Sequence, residues 1–145
     1  MCNSSLVPSG QSGGNPRGQR SSVDPRSSRD KQRAIMRENE SADTLADKGY
    51  NVEQNPPTLP NGKNPDYRIE GKIFDNLAPT SSNPDQIRKG ISRKVKSEQT
   101  DRIILNLNDS YVTLESLRDT LSRKPIDGLK EIIVIKNDRV IPFFP

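Results

Sequence analysis

The stretch NPDYRIEGKIFDNLAP, residues 64–79, decides how the middle of the chain folds. Two short segments that suit strands, residues 66–69 and 72–77, flank Glu70 and Gly71, which is the pattern of two strands joined by a two-residue turn. A turn of this length fixes the pairing of every residue on either side of it. With Glu70 and Gly71 in the turn, Asp66 lies directly opposite Asp75.

The same letters nearly spell a PD…ExK motif, the signature of metal-dependent nucleases. Asp66 follows Pro65, and Glu70 precedes Lys72 by two positions, but the predicted turn puts Glu70 and Lys72 at an exposed tip. Directly opposed residues have Cβ atoms about 4.5–5.5 Å apart, where like charges repel. Asp66 and Asp75 therefore either bear that repulsion or share a divalent cation. The plain structural alternative is a turn cap and a solvated edge residue.

Composition excludes several kinds of chemistry. The 145 residues contain no histidine and one cysteine, Cys2, which rules out a histidine general base, a His-ligated zinc and an intramolecular disulfide. The net charge of +4 suits a polyanionic partner. No apolar run reaches the length of a membrane span, so we expect no stable membrane insertion.

The chain divides into two parts by composition. Residues 1–29 are rich in Ser, Gly, Pro and Arg and have almost no large apolar side chains, so we predict a disordered leader. Residues 30–145 are periodic and form one predicted domain.

Within this domain the periodicity predicts an α/β fold, a mixed central sheet flanked by helices, in the order α-β-β-β-α-β-α-β-β. The predicted elements are a helix at 29–48, strands at 50–54, 66–69 and 72–77, a helix at 84–97, a strand at 102–107, a helix capped by Thr113, and a hairpin at 130–145.

The second predicted helix carries most of the positive charge. Lys94 follows Ile91 by three positions and Ile87 by seven, so it lies at the margin of a buried stripe, from which its ammonium can reach the edge of the sheet. The other basic residues of this helix suit contacts with phosphate groups; they are Arg88, Lys89, Arg93 and Lys96.

The first predicted helix offers a further acid. Glu38 precedes Ala42 by four positions and Leu45 by seven, which places it on the side that faces the core. Glu40 is rotated from it by about 200° and is expected to be exposed. Glu38 is therefore the better candidate, and Glu40 stays an alternative.

These residues resemble a known family. The segments LADKGYNVEQNP, PDYRIEGKIFDNLAPT, KVKSEQTDRIILNL and GLKEIIVIKNDRVIP are similar to the C-terminal toxin domain of CdiA proteins, the effectors of contact-dependent growth inhibition in Gram-negative bacteria. More narrowly, they resemble the tRNA-cleaving branch with a PD-(D/E)XK nuclease fold, known from Burkholderia. The resemblance covers about residues 33–145. Residues 1–29 would then be a remnant of the domain by which such effectors enter cells.

The resemblance also implies a catalytic site. In that branch a helix glutamate, two aspartates on paired strands and a lysine on the following helix match Glu38, Asp66, Asp75 and Lys94. Asp66 and Asp75 would hold a divalent metal ion, Mg²⁺ or Zn²⁺, and Glu38 would be a further ligand or orient one. Lys94 would orient the nucleophile or offset charge on the phosphate. Auxiliary candidates are Gln99 and Glu40.

The implied function is a metal-dependent endoribonuclease that cleaves tRNA in target bacteria. It would be secreted or displayed at the cell surface as the C-terminus of a large effector and act in the target-cell cytoplasm. A cognate immunity protein would form a neutralising heterodimer with it. The alternatives are a DNA endonuclease, a metal-independent RNase and a non-catalytic nucleic-acid-binding module, although aromatic residues make up only 4% of the chain and offer few stacking platforms.

The hairpin register predicts different outcomes for two substitutions in this segment. Lys72→Ala is expected to leave activity nearly unchanged, because Lys72 lies at the turn. Asp75→Ala is expected to abolish activity and to leave the fold intact or more stable, because it removes one of two opposed like charges.

Overall fold

The computed structural model describes residues 6–97 and 100–145, in which a seven-stranded mixed sheet separates one helix from two others. The strands lie in the sheet in the same order as in the chain. The elements are β1 (Arg17–Gly18), α1 (Arg29–Asp47), β2 (Val52–Gln54), β3 (Tyr67–Ile69), β4 (Lys72–Leu77), α2 (Pro84–Ser97), β5 (Arg102–Asn106), α3 (Leu114–Arg123), β6 (Glu131–Lys136) and β7 (Arg139–Phe144).

The sheet combines parallel and antiparallel pairs. Strands β4, β5 and β6 are parallel neighbours, whereas β2–β3, β3–β4 and β6–β7 are antiparallel and β1 adds to β2 in parallel. The predicted mixed α/β sheet flanked by helices is confirmed. The predicted element order lacks β1, because a strand of two residues has no detectable periodicity.

Two apolar cores lie on opposite faces of the sheet. On β5, Ile104 packs in the cluster that contains Leu45 of α1, whereas Ile103 and Leu105 pack in the cluster that contains Ile91 of α2. Burial of each such side chain contributes about 1.5–3 kcal/mol. No helix in the described residues has the length and apolar character to cross a bilayer.

The predicted register of the β3–β4 hairpin is confirmed. Tyr67 lies opposite Phe74, and the two turn residues Glu70 and Gly71 have φ angles of 48° and 80°. Positive φ at both central positions is characteristic of a type I′ turn. The paired residues end at Tyr67, so the next two side chains across the hairpin are those of Asp66 and Asp75.

Residues 6–28, here called the strap, lie along the domain. Strand β1 is part of the strap, and Gly18 approaches β2 so closely that a Cβ atom there would lie 2.2 Å from the Gln54 carbonyl oxygen. The sequence predicts a disordered leader over residues 1–29, of which residues 1–5 lie outside the described residues, whereas Gly10, Gly13 and Gln19 donate backbone hydrogen bonds to the domain. The strap buries few apolar side chains, but its backbone hydrogen-bonds to the domain, and composition does not reveal such bonds.

One carboxylate fixes α1 to the ends of the central strands. Asp109 accepts hydrogen bonds from Arg37 Nε (3.0 Å) and Nη2 (2.9 Å) and from Arg33 Nη1 (2.8 Å). Arg33 also donates to the carbonyl of Ala78, directly after β4 (2.9 Å). The hydrogen bonds from Arg37 and then Arg33 lower the pKa of Asp109 from 3.8 to about 2. The charged form of Asp109 is thus bound more tightly in the folded state.

Asp109→Asn should lower the free energy of unfolding at neutral pH by about 1–2 kcal/mol, because it removes the charge from these hydrogen bonds. The folded-state pKa lies below the unfolded one, so the contribution is complete above about pH 4 and is lost as the pH falls through about 2. Urea titrations at neutral pH and near pH 2 should show the gap between wild type and variant closing. The control is Asp119→Asn, whose ion pair with Arg123 is largely exposed. A gap that does not depend on pH would contradict this account.

Candidate active site

A cleft of about 290 Å³ lies beside the carboxyl end of β4. Its walls include Glu38 of α1, Asp66 just before β3, Asn76 of β4 and Lys94 of α2. The carboxyl ends of parallel strands are where α/β sheets commonly bind ligands. Three of the four residues predicted for the catalytic site therefore share one cavity.

Asp66 and Asp75 each bind the backbone of the opposite strand. The Oδ1 atom of Asp75 accepts a hydrogen bond from the N–H of Asp66 (3.0 Å), and the Oδ2 atom of Asp66 accepts one from the N–H of Asn76 (2.8 Å). The two side chains thereby continue the connection between the strands beyond the last paired residues. Each carboxylate is oriented by a bond that the register prediction did not include.

Asp75 lies behind the main cleft. It is only 5% exposed and lines a small adjoining pocket together with Lys63 and Thr100. Adjacent strand residues point to opposite faces, and Asn76 accordingly lines the main cleft. Asp75 therefore lies outside the cleft that Glu38, Asp66 and Lys94 line, and it contacts that group through the hydrogen bond that it accepts from the N–H of Asp66.

Glu38 is a partly enclosed acid among charged neighbours. Burial raises its pKa above the ordinary value, and the charge of Asp75 acts in the same direction. The hydrogen bond from the Ser21 hydroxyl, the positive charge of Lys94 and the interaction with the Asp66 side chain oppose this rise in pKa. A carboxyl group with a pKa perturbed by both burial and specific charges in a cleft is characteristic of functional sites.

Glu40 points away from this cleft and contributes to structure. Its Oε1 atom accepts hydrogen bonds from Asn106 Nδ2 (3.0 Å) and Asn108 Nδ2 (2.6 Å), and its Oε2 atom accepts one from Arg37 Nη1 (2.7 Å). This half-buried position differs from the exposed one expected from helix geometry. Of the two candidate glutamates, Glu38 is the one that lies beside Asp66.

The residues of the literal ExK motif lie outside the cleft. Lys72 is exposed, as predicted. Glu70 is not simply solvated, because its Oε2 atom accepts hydrogen bonds from the N–H groups of Asn51 (2.9 Å) and Ser9 (2.9 Å). Although burial acts to raise the pKa of Glu70, these hydrogen bonds lower it. Glu70 therefore holds the strap against the hairpin.

Helix α2 presents an exposed basic face. Lys89, Arg93 and Lys96 are exposed and follow one another at spacings of four and three, which places them on one side of the helix. Arg88 differs from them, since it donates to two backbone carbonyls after α3 (2.6 and 3.1 Å). The remaining predicted residue, Gln99, lies outside the described residues.

Two residues at the cleft were not identified from the sequence. Asn76 is 7% exposed, and its Oδ1 atom has no hydrogen-bond partner within residues 6–97 and 100–145. Its position beside Asp75 was a signal that it adjoins the site. Ser21 of the strap donates a hydrogen bond to the carboxylate of Glu38. No pattern in the sequence connects Ser21 with α1.

Known proteins are similar to this chain over most of its length. Residues 63–141 match the contact-dependent growth inhibition CdiA C-terminal domain family. The protein tRNA nuclease CdiA-2 of Burkholderia pseudomallei (strain 1026b) is 42% identical over 129 residues, which are 89% of this chain and 4% of that protein. A chain of the CdiA-CT/CdiI toxin and immunity complex from Burkholderia pseudomallei superposes with a TM-score of 0.85 at 41% identity, covering 91% of this chain and 100% of that one.

The hydrogen bond between the two strands changes the outcome expected for Asp75→Ala. The variant should lose about 1–3 kcal/mol of unfolding free energy, because it removes the acceptor of the Asp66 N–H. Asp75→Asn keeps an oxygen acceptor and removes the like charge, so its stability should stay within about 1 kcal/mol of wild type. Urea unfolding at neutral pH measures both variants. Equal stability of the alanine and asparagine variants would contradict the role given to this hydrogen bond.

Proposed function

Because this chain belongs to the contact-dependent growth inhibition CdiA C-terminal domain family, we propose that it is a toxin that cleaves tRNA in target bacteria. The observation that carries this proposal is the cleft in which Glu38, Asp66 and Lys94 meet. Phosphodiester hydrolysis needs groups that orient a nucleophile and offset charge on the phosphate, and these side chains are of that kind. The name of the relative, tRNA nuclease, supports tRNA as the substrate.

We further propose a PD-(D/E)XK-like core whose lysine has moved from the sheet to a helix. The β3–β4 hairpin brings Asp66 and Asp75 together, as the acidic part of that core requires. Position 77, where the standard motif has its lysine, is leucine. Lys94 reaches the same cleft from α2, the helix that follows β4. Lys94 would thus take the place of the motif's lysine at the cleft, although it stands at a different position in the sequence.

The carboxylates suit a divalent cation of the Mg²⁺ type. No three acidic or cysteine side chains among the described residues are grouped closely enough to hold a metal. Mg²⁺, however, is commonly bound by one or two protein carboxylates, with substrate phosphate and water completing its coordination. Asp66 supplies one carboxylate at the cleft and Asp75 a second one behind it. Asn76, on the cleft side of β4, has a buried oxygen for which the described residues offer no hydrogen-bond partner. Bound there, the ion would supply Lewis-acid stabilisation of the phosphate.

The chain lacks the ligands that zinc prefers. Zn²⁺ sites are built mainly from cysteine and histidine, and this chain has no histidine and a single cysteine, Cys2. We therefore favour Mg²⁺ over Zn²⁺ as the metal of the proposed reaction.

Lys94 and Glu38 would have different tasks. In the described part of the chain Lys94 forms no ion pair, so its ammonium is available to offset charge on the phosphate. Glu38 lies beside Asp66 and would orient that carboxylate or bind the cation with it. Because the two side chains come from α2 and α1, the task of each can be tested separately.

Cleavage of purified tRNA with and without Mg²⁺ tests the proposal. Wild type should cleave in Mg²⁺ and stop in excess EDTA. Glu38→Gln and Lys94→Met should each reduce the rate by about 10²-fold or more, because each removes a charge from the cleft. Their controls are Glu115→Gln and Lys72→Met, at two exposed positions outside the cleft, and both should stay near the wild-type rate, with folding verified by thermal unfolding.

Each rival function has its own outcome in this assay. Full activity in excess EDTA would indicate a metal-independent RNase. Cleavage of DNA but not of tRNA would indicate a DNA endonuclease. Tight binding without cleavage would indicate a nucleic-acid-binding module, and any of these results would overturn the proposal.

We propose that the exposed face of α2 binds the tRNA backbone. Lys89, Arg93 and Lys96 lie on the helix that carries Lys94, so phosphates bound there would lead into the cleft. Reversing these three charges to glutamate should weaken tRNA binding and flatten its dependence on salt, because fewer counterions are released. Binding titrations across salt concentrations measure this effect. Lys48→Glu, at the far end of α1 from the cleft, is the control and should bind as wild type does.

We also propose that a cognate immunity protein neutralises the domain. The similar solved structure is a toxin and immunity complex, and an acidic surface on the partner would complement the basic face of α2. The domain would be delivered as the C-terminus of a large secreted or surface-displayed effector and act in the target-cell cytoplasm. A true immunity protein should block tRNA cleavage at equal molar amounts, and one that binds without blocking would contradict this view.

A further inference from the structure

The strap reaches the candidate site through one serine. The hydroxyl of Ser21 donates a hydrogen bond to the Oε2 atom of Glu38. Ser21 is half-buried, whereas the adjacent Ser22 is exposed. A segment outside the predicted domain therefore contacts an acid of the cleft.

The backbone of Ser21 is held in place by a side chain of α1. Its N–H donates to the Oδ1 atom of Asn39 (3.1 Å), and its carbonyl accepts from the Nδ2 atom of the same residue (3.0 Å). Gln54 of β2 donates to the same Asn39 oxygen. The two hydrogen bonds between Asn39 and the backbone of Ser21 are here called the clamp. Because Asn39 directly follows Glu38, the clamp places the Ser21 hydroxyl beside the Glu38 carboxylate.

The hydroxyl of Ser21 is itself oriented. Asn55 Nδ2 donates to Ser21 Oγ (3.1 Å) and to the carbonyl of Gln19 (2.5 Å). A serine hydroxyl has one proton, so an oxygen that accepts from Asn55 directs that proton toward Glu38. The N–H of Asn55 donates to the carbonyl of Asp66 (2.8 Å). The residue that orients Ser21 is thereby tied to the second acid of the cleft.

A peripheral ion pair adds little to this arrangement. Arg20 and Asp43 form two contacts of 2.7 and 3.0 Å, but their side chains are 54% and 52% exposed. Exposed ion pairs contribute weakly to stability. The position of Ser21 therefore depends on the amide side chains.

We propose that Ser21 is a positioning residue for Glu38 in tRNA cleavage, which makes the strap part of the active site. This inference rests on the proposed function. An oriented donor on one carboxylate oxygen restricts the rotation of the Glu38 side chain and keeps it turned toward Asp66 and Lys94. The contribution would appear in the chemical step, because Ser21 touches Glu38 and not the basic face that binds substrate.

Steady-state kinetics on tRNA with Mg²⁺ test this role. Ser21→Ala should lower kcat by about three- to tenfold, the effect of one lost hydrogen bond of ordinary strength, and leave KM within about twofold of wild type. Ser21→Thr keeps the hydroxyl and should restore kcat to within about twofold of wild type. Ser22→Ala is the matched control and should equal wild type. Thermal unfolding establishes that the variants are folded.

A second variant tests the orientation of the hydroxyl. Asn55 has a φ of 52°, a conformation that glycine adopts without strain, so Asn55→Gly removes the side-chain donor and retains the backbone bond to Asp66. It should lower kcat in the same direction as Ser21→Ala. The double variant should be no slower than the slower single variant, because both changes act through one hydrogen bond.

The outcomes separate this inference from the function on which it rests. A wild-type kcat in Ser21→Ala, beside an inactive Glu38→Gln, would overturn the inference and leave the proposed nuclease intact. A threonine variant as slow as the alanine one, or a loss confined to KM, would also overturn it. Wild-type protein that fails to cleave tRNA would overturn the proposed function and this inference together.

Discussion

The two hydrogen bonds by which Asp66 and Asp75 each bind a backbone N–H across the hairpin are the constraint on which the site depends. Two carboxylates placed opposite each other on paired strands repel, and the fold compensates by giving each a backbone N–H from the other strand. The turn at Glu70 and Gly71 makes this geometry unavoidable, because it sets the register three pairs away. The carboxylates of Asp66 and Asp75 therefore stay close together in the folded protein, and a cation bound between them would relieve their repulsion.

The position of helix α1 determines whether Glu38 lies beside Asp66 in the cleft. Arg33 and Arg37 attach its first half to Asp109, and Glu40 attaches it to two asparagines at the end of β5. Glu38 lies between these attachments along the helix and is turned toward the other side. The hydrogen bonds of Arg33, Arg37 and Glu40 thus hold α1 in place, and α1 in turn holds the partly buried Glu38 in the cleft.

Local patterns in the sequence predicted much of this fold. The hairpin register, the stripe that places Lys94 beside the cleft and the core-facing side of Glu38 follow from turn chemistry and periodicity. The sequence did not predict the bonds of Glu40, Glu70 and Ser21, because each joins residues far apart in the chain and uses polar side chains that have no periodicity. Asp75 was predicted to destabilise the fold as one of two opposed like charges, because hydrogen bonds from backbone groups to its carboxylate are not visible in a one-dimensional pattern.

The strap also bears on where this domain could be joined to other sequence without damage. Strand β1 and the clamp around Ser21 belong physically to the folded unit, although their composition resembles that of a linker. A fusion point at residue 30 would separate Glu38 from its hydrogen-bond donor and expose the edge of β2. Preserving every contact of the strap would require the chain from Leu6 onward, in sequence whose composition is that of a dispensable spacer.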